Sequence, residues 1–172
     1  MKLPVTVASL VVGAALVAAA QAPMDVKLNA QLKRLFPSAS AFSPKQGSPP
    51  HIKAFGSDAQ TVIGLAFWTT ELEPLERGYD GPIKILVGLD PKGILAGIVV
   101  ADHHEPYGYF SVDLPEFAAQ FVGKDIRDAF RVGADVDAIS RASISVGSAS
   151  RAVRNSARRI ARQLLTPPDS AK

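Results

Sequence analysis

The chain has 172 residues, of which 47% are hydrophobic, and a formal net charge of +3 at pH 7. This length and composition are typical of a single domain with one hydrophobic core, and so small a charge indicates no particular partner. The sequence contains no cysteine. Disulfides, iron–sulfur clusters, thiolate zinc sites and c-type haem are therefore excluded, and any redox chemistry requires a cofactor that is held in another way.

The first 22 residues have the pattern of an export signal. Lys2 precedes an apolar run from residue 5 to residue 20, and small residues follow it. A run of about 16 residues is short for a membrane span, so we expect a signal peptide over 1–22, cleaved near residues 20–22. An uncleaved anchor is the alternative. The mature domain is then 23–172 and works outside the cytoplasmic membrane, where nucleic acid is not an expected partner.

The mature sequence predicts an α+β fold, with a mostly antiparallel sheet flanked by helices in a single domain. The predicted helices are 25–36, 114–121 and 148–165, with Asp25 and Asp113 as N-caps of the first two. The predicted strands are 51–55, 61–70, 83–89 and 94–101, the last two forming a hairpin. Residues 37–50 are rich in turn-forming residues and predict a loop, and 125–132 predict one further short element.

The last predicted helix has an apolar face and a basic face. Its apolar residues are Ala149, Val153, Ala157, Ile160 and Leu164. Its basic residues are Arg151, Arg154, Arg158 and Arg162. A stripe of this kind is typical of a solvated face, and docking of an acidic partner or peripheral association with anionic lipid is the alternative.

Residues 137–145 combine an acidic residue, several hydroxyls and a small residue just before this helix. Side-chain oxygens and free backbone N–H groups at such a position predict an anion site, which would suit a phosphorylated ligand. An ordinary Asp- and Ser-rich turn with an N-cap is the alternative.

Several stretches, taken together, resemble one family. They are GYDGPI at 78–83, HEP at 104–106, FVGK at 121–124 and DAISRAS at 137–143. In this order they resemble the FMN-binding domains of the RnfG and NqrC subunits of ion-coupled redox complexes and of the periplasmic part of NosR-type proteins. The NosR branch is the most similar, because LFPSASAF, DHHEP and SARRIAR also match its pattern. The resemblance covers nearly all of the mature chain.

The resemblance implies that FMN is attached covalently, through a phosphoester to the last hydroxyl of the 137–143 motif. Asp137, Ser140 and Ala142 match the motif, and Ser143 occupies the acceptor position, where threonine is commoner. An ApbE-type flavin transferase installs the group from FAD, and Asp137 is expected to bind the transferase's magnesium ion or to cap the turn. Arg141 stands where glycine is usual, and its guanidinium offers a non-covalent hold on the flavin phosphate.

The loop around the HEP motif lies near the flavin in this family. The cofactor-binding set implied for this chain is Ser143, Ser140, Arg141, Ala142, Asp137, Ser145, His104, Glu105, Pro106, Tyr107, Tyr79 and Gly81. A surface loop is the alternative for residues 104–107, and core packing is the expectation for Trp68. The adjacent histidines 103 and 104 are not expected to form a metal site, because neighbouring side chains on a strand point in different directions and no third ligand with suitable spacing is present. A Ser/His/Asp hydrolase is not favoured, because no G-x-S-x-G motif is present.

The function that the resemblance implies is electron transfer rather than stand-alone catalysis. An exported flavoprotein would carry electrons between a membrane-bound redox partner and an extracytoplasmic protein, while the isoalloxazine does the chemistry. The alternative is an accessory or regulatory module of a respiratory complex that binds FMN non-covalently or not at all. Because the chain lacks the membrane helices and cysteine-bound clusters of full-length NosR, we expect it to need a membrane partner.

Overall fold

The computed structural model describes residues 24–165, and the predicted signal peptide lies outside them. Five antiparallel strands form one sheet, in the spatial order β1-β2-β3-β4-β5. The strands are β1 (Ala41–Phe42), β2 (Ile52–Phe55), β3 (Val62–Trp68), β4 (Lys84–Leu89) and β5 (Leu95–Asp102). Consecutive strands are neighbours throughout, and the predicted β4–β5 hairpin is confirmed, with Val87 paired to Ile98.

Within the part of the chain that the structure describes, four α-helices accompany the sheet. They are α1 (Val26–Leu35), α2 (Thr69–Leu72), α3 (Pro115–Ala119) and α4 (Ser143–Ile160), and a short π-helical segment, Ala161–Leu165, continues α4. No helix within residues 24–165 has the length and apolar character that a membrane crossing requires. Helices flanking an antiparallel sheet confirm the predicted α+β class.

Successive side chains of a strand point to opposite faces of the sheet. Each face is covered by a helix, so the sheet has a hydrophobic core on both sides. Leu86 of β4 packs in the core on the α1 side, with Leu32. Ile85 and Val87, its neighbours along the strand, pack in the larger core on the α4 side, with Val153. The two faces are therefore distinct environments, and α4 covers the one with the larger core.

The start of α1 agrees with the prediction, and the edges of the strands differ from it. The Asp25 carboxylate accepts a hydrogen bond from the backbone N–H of Lys27 at 2.7 Å, which caps the helix. The prediction of an unbroken loop over 37–50 was wrong, because β1 pairs with β2 there. β3 also ends at Trp68 rather than at residue 70. The Thr69 hydroxyl bonds the Ile85 N–H and the Ile83 C=O, both at 3.1 Å, and so replaces ladder bonds as the chain turns into α2.

Two predictions for the middle of the chain were also wrong. Asp113 does not cap α3, whose N-cap is Leu114 without a side-chain bond, because the Asp113 carboxylate bonds His103 instead. Residues 125–132 form no helix or strand. Loop geometry there is set by the Asp135 carboxylate, which accepts the backbone N–H groups of Phe130 and Arg131 at 2.8 and 2.6 Å.

The last helix begins at Ser143, earlier than the predicted residue 148. Serine and glycine are weak helix formers, which hid this first turn in the sequence. The turn is helical because Val146 and Ala149 are fully buried in the larger core, and that burial outweighs the low propensity. The arginine stripe is also only partly solvated, since Arg158 donates to the C=O groups of Ile126 and Asp128 at 2.7 and 2.8 Å.

Candidate functional site

A pocket of about 200 Å³ lies at the N-terminal end of α4. Three segments meet there: the turn after α2, the loop after β5, and the first turn of α4 with the residues before it. The lining residues are Tyr79, Pro106, Tyr107, Arg141, Ala142, Ser143, Ile144 and Ser145. Seven of these eight belong to the set that the sequence predicts, and the structure brings them together from segments that are far apart along the chain.

Ser143 is the first residue of α4, and its side chain is exposed. The preceding residue, Ala142, is 2% exposed and forms the N-cap, with no side-chain bond to the helix. The N–H groups of the first helical turn have no carbonyl of their own helix to bond. Together with the helix dipole they favour an anion beside the Ser143 hydroxyl, and the small side chain of Ala142 leaves room for it.

Arg141 adopts a left-handed backbone conformation, with φ +67°. This conformation lets the chain reverse into α4, and the Ala142 N–H closes the turn onto the Ile139 C=O at 3.1 Å. For a residue with a Cβ it costs about 1–2 kcal/mol relative to the right-handed region. Glycine avoids this cost, which gives a physical reason for the glycine that is usual at this position in the family pattern. The Arg141 side chain lines the pocket and places a positive charge beside Ser143.

The buried carboxylate of Glu105 joins the three segments. It is 6% exposed and accepts hydrogen bonds from the N–H groups of Tyr79 and Asp80, both at 3.0 Å, and from the Ser145 hydroxyl. Gly78 leaves the space for it, because a Cβ at that position would lie 2.7 Å from the Glu105 carboxyl carbon. Burial raises the pKa of Glu105, but the bonds from Ser145, Asp80 and Tyr79 together outweigh burial and hold the pKa below its usual value.

His103 fixes the loop from the opposite side. Its Nδ1 accepts the backbone N–H of Glu105 at 3.0 Å, so Nε2 carries the proton and donates to the Asp113 carboxylate at 2.8 Å. A Cβ at Gly108 would overlap the imidazole, so glycine is required beside it. The loop that carries Glu105 is therefore held by side-chain bonds at His103 and at Glu105 itself.

The pocket presents two aromatic rings to solvent. Tyr79 is 70% exposed and Tyr107 is 45% exposed, and both line the pocket. Tyr107 also packs against Phe110, with 5.3 Å between the ring centroids, which supports it from behind. Exposed aromatic rings beside an anion site suit a ligand with a flat ring system and a phosphate.

The remaining predicted residues do not line this pocket. Asp137 is exposed, and its backbone N–H donates to the Gln120 side chain at 2.7 Å. Ser140, His104 and Gly81 lie near the pocket in sequence but outside its lining, and Glu105 lies beneath it. Trp68 is in the core, as predicted, on the α1 side of the sheet. Sequence reasoning missed Ile144, which lines the pocket and is 55% exposed; an isoleucine at the start of a helix gives no signal of this.

Comparison with known proteins identifies the ligand that this arrangement fits. Residues 78–158, which include the whole pocket, match the model of the FMN-binding domain. These residues belong to the FMN-binding domain family. The cofactor of the domain is FMN, and the residues fit it: the α4 N-terminus and Arg141 suit the phosphate, and Tyr79 and Tyr107 suit the ring system. The pocket is smaller than the 300–1,000 Å³ usual for a whole ligand, so it fits part of FMN.

The curated relatives carry a more specific name. Over 54 residues, 31% of this chain, the sequence is 58% identical to the G subunit of the ion-translocating oxidoreductase complex of Haemophilus influenzae (strain KW20 / Rd). The same protein of strains PittEE and 86-028NP matches with equal identity and coverage. The matched segment spans 24% of each relative, about a quarter of its length.

Proposed function

We propose that this chain is an exported electron-transfer flavoprotein that carries FMN on Ser143 through a phosphoester. In the proposal it passes electrons between a membrane-bound redox protein and an extracytoplasmic partner, as part of a complex related to the one for which its relatives are named. The observation that carries the proposal is the position of Ser143, an exposed hydroxyl on the first turn of α4 inside the pocket of an FMN-binding domain.

The attachment step needs a flavin donor and an external catalyst, in our proposal FAD and an ApbE-type flavin transferase. Ser143 Oγ forms the new bond to the phosphorus of the FMN half of FAD. The pyrophosphate P–O bond breaks, AMP leaves, and the hydroxyl proton passes to the transferase or to solvent. We propose that Asp137, which is exposed near the acceptor, contacts the magnesium ion of the transferase, because a carboxylate beside the phosphate itself would repel it.

The protein's own residues hold and orient the group. When bound, FMN supplies transfer of one or two electrons. The helix N-terminus and Arg141 neutralise the phosphate, the ring of Tyr79 forms one wall of the pocket, and Glu105 keeps that wall in place through the Tyr79 N–H. A phosphoester on Ser143 would prevent loss of the flavin by diffusion, which matters outside the cytoplasm, where it cannot be replaced.

The location and the domain limits are part of the proposal. The apolar run at 5–20 supports export, with a signal peptide at 1–22 and the FMN-binding domain over 23–172. The name of the relatives supports a membrane-bound redox partner, and in our proposal the exported domain stays associated with the membrane surface through that partner.

A second candidate is an accessory module that binds FMN without a covalent bond. The observation in its favour is Arg141, which lines the pocket in the left-handed conformation where the family pattern has glycine. A guanidinium can hold a phosphate through two parallel hydrogen bonds, which gives affinity without an ester. The same experiment separates the two candidates.

The test is the intact mass of the protein exported by a host that carries the flavin transferase. We expect a gain of about 440 Da, the mass of FMN less water, and no gain in Ser143→Ala. Ser145→Ala is the matched control, because Ser145 lines the same pocket while its hydroxyl is engaged by Glu105. Ser145→Ala is expected to keep the added mass.

The outcomes divide the candidates clearly. A wild-type protein that is yellow but has no added mass, and that releases its flavin into the supernatant on acid precipitation, would support the non-covalent module. Added mass in Ser143→Ala that disappears in Ser145→Ala would move the attachment to the other serine. A colourless wild-type protein with no added mass would contradict the flavoprotein proposal.

A further inference from the structure

A second concavity adjoins the flavin pocket and is lined by arginines. Its volume is about 570 Å³, and Ser143 lies on the border, since it lines both concavities. The residues that matter here are Phe130, Arg131, Val132, Gly147, Arg151 and Arg154. We call this concavity the arginine pocket. Its lining contains three arginines and no carboxylate.

Two of the arginines are held in place by neighbouring groups, and Arg154 also donates through Nη1 to the Ala129 C=O of the lining at 3.5 Å. Arg151 pairs with Glu76 at 2.7 Å between Nη2 and Oε1, and its side chain remains 48% exposed. Arg154 donates through Nε to the Asn155 side chain at 3.1 Å. A guanidinium has five N–H donors, so both arginines keep unused donors for a ligand. Side chains that are already oriented lose little entropy when they bind one.

The third arginine stands on a fixed loop. The Arg131 backbone N–H donates to the Asp135 carboxylate at 2.6 Å, and Lys124 bonds the same carboxylate at 3.3 Å. The Arg131 side chain is exposed and has no bonded partner among residues 24–165. A free positive charge is therefore presented from a rigid backbone.

Gly147 connects the arginine pocket to Ser143. It lies on the next turn of α4, and a Cβ there would come within 3.3 Å of Nη1 of Arg151. The missing side chain allows the guanidinium to lie close to the helix. It also leaves an open surface between Ser143 and the arginines.

We propose that the arginine pocket binds an acidic surface segment of the protein with which this flavoprotein exchanges electrons, an inference that rests on the proposed function. Three arginines, one of them paired with Glu76, line a concavity whose apolar lining residues are Phe130 and Val132, and this arrangement matches several carboxylates on a protruding segment better than one small anion. The position beside Ser143 brings a bound protein close to the flavin, which electron exchange requires. Complementary charge of this kind accelerates association and makes it dependent on salt.

The first test uses the flavin-free protein, Ser143→Ala, and a fluorescein-labelled octaglutamate peptide whose binding is followed by fluorescence anisotropy at low salt. We expect Arg131→Gln and Arg151→Gln each to weaken binding about threefold. Glu76→Gln is expected to strengthen binding about twofold, because it removes the carboxylate that competes for Arg151. A gain of this kind cannot result from misfolding.

Arg34→Gln is the matched control. It makes the same change of charge on α1, which covers the opposite face of the sheet, and it is expected to leave peptide binding unchanged. Equal weakening by Arg34→Gln and Arg131→Gln would overturn the proposal, because it would indicate a general charge effect. Absence of peptide binding at low salt would overturn it too. A third contradicting result would be binding to vesicles containing phosphatidylglycerol that depends on the arginines, without binding to the peptide. That result would indicate that the arginine pocket binds a membrane surface.

The second test uses the FMN-loaded protein, reduced with dithionite and mixed with an excess of ferricyanide, each molecule of which accepts one electron. We expect Arg131→Gln to lower the rate of flavin oxidation by this anionic oxidant about threefold. The rate with the cationic oxidant hexaammineruthenium(III) should stay the same or rise. Equal slowing of both oxidants would contradict the inference. Failure to load FMN would count against the proposed function alone, because the peptide measurement needs no flavin.

Discussion

Two loops reach the flavin pocket, and they are built in opposite ways. The loop over residues 103–107, the tied loop, is anchored by the His103 imidazole and by the buried Glu105 carboxylate, which together make five side-chain hydrogen bonds. The loop over residues 137–142, the strained loop, has one backbone bond to the Gln120 side chain, one turn closure and one bond from the Val146 N–H of α4 to the Ala142 C=O, and none of its own side chains makes a bond within residues 24–165. It also contains Arg141 at φ +67°.

The difference separates the two tasks of the site. The tied loop keeps the aromatic wall in one position relative to α4, because Glu105 bonds residues of both. The strained loop presents Ser143, which in the proposed function must enter the active site of another protein before it can receive its flavin. Few internal bonds suit a segment that has to fit a second surface, and many suit a segment that defines the pocket. Substitutions in each loop test this difference.

The largest effect is expected from Glu105→Ala. It leaves the Tyr79 and Asp80 N–H groups and the Ser145 hydroxyl without their acceptor, and it empties a buried site. We expect a loss of about 3 kcal/mol in the free energy of unfolding, measured with urea. Glu116→Ala, which removes an exposed carboxylate, is the control. It is expected to lower the free energy of unfolding by less than about 0.5 kcal/mol.

Gly78→Ala provides an independent check on the same carboxylate. The new methyl group would displace Glu105 and cost about 2 kcal/mol in the wild-type background. In the Glu105→Ala background the Glu105 carboxylate no longer blocks the methyl group. The loss of unfolding free energy caused by Gly78→Ala should therefore fall below about 1 kcal/mol. Strictly additive losses would mean that Gly78 serves something other than the Glu105 contact.

The sequence was sufficient for the sheet and less so for the helix that carries the site. The β4–β5 hairpin follows from two runs of branched apolar residues around a turn, which is local information. The first turn of α4 could not be predicted, because Ser143, Ser145 and Gly147 are poor helix formers and the burial of Val146 that compensates for them is a tertiary effect. Local propensity alone predicts that Ser143 lies in a turn, whereas burial of Val146 in the core makes it the first residue of α4.

The site shows the same division. The residues that line the pocket were predicted largely through a family resemblance, and their convergence is seen only in the structure. Glu105 was predicted as a flavin contact, whereas the structure buries it as the acceptor for residues 25, 26 and 40 positions away. Bonds over such distances leave no periodic signal in a sequence. Gly78 is the one sequence feature that the Glu105 contact explains, but a glycine at this position is equally typical of a turn.

A smaller effect of opposite sign is expected at the strained loop. Arg141→Gly removes a Cβ from the left-handed conformation, so we expect the free energy of unfolding to rise by about 1 kcal/mol. Arg141→Ala separates backbone from charge, because it keeps the strain and removes the guanidinium, and it should change stability by less than about 0.5 kcal/mol. Equal effects of the two variants in urea unfolding would show that the charge, not the backbone, matters at this position.

The smallest effect is a pH dependence that belongs to the tied loop. The pKa of Glu105 is below its ordinary value of 4.5 in the folded protein, so the unfolded chain binds more protons in that range. The stabilisation is therefore complete above pH 4.5 and is lost as the pH falls through the folded pKa. Urea unfolding of wild type and Glu105→Gln between pH 6 and pH 3 isolates this contribution, because Asp58, Asp125 and Asp135, whose pKa values are also lowered, are common to both proteins. We expect the stability advantage of wild type to shrink as the pH falls. An advantage that stays constant over this range would mean that the Glu105 bonds act through shape rather than charge, and the contrast between the two loops would then be one of packing alone.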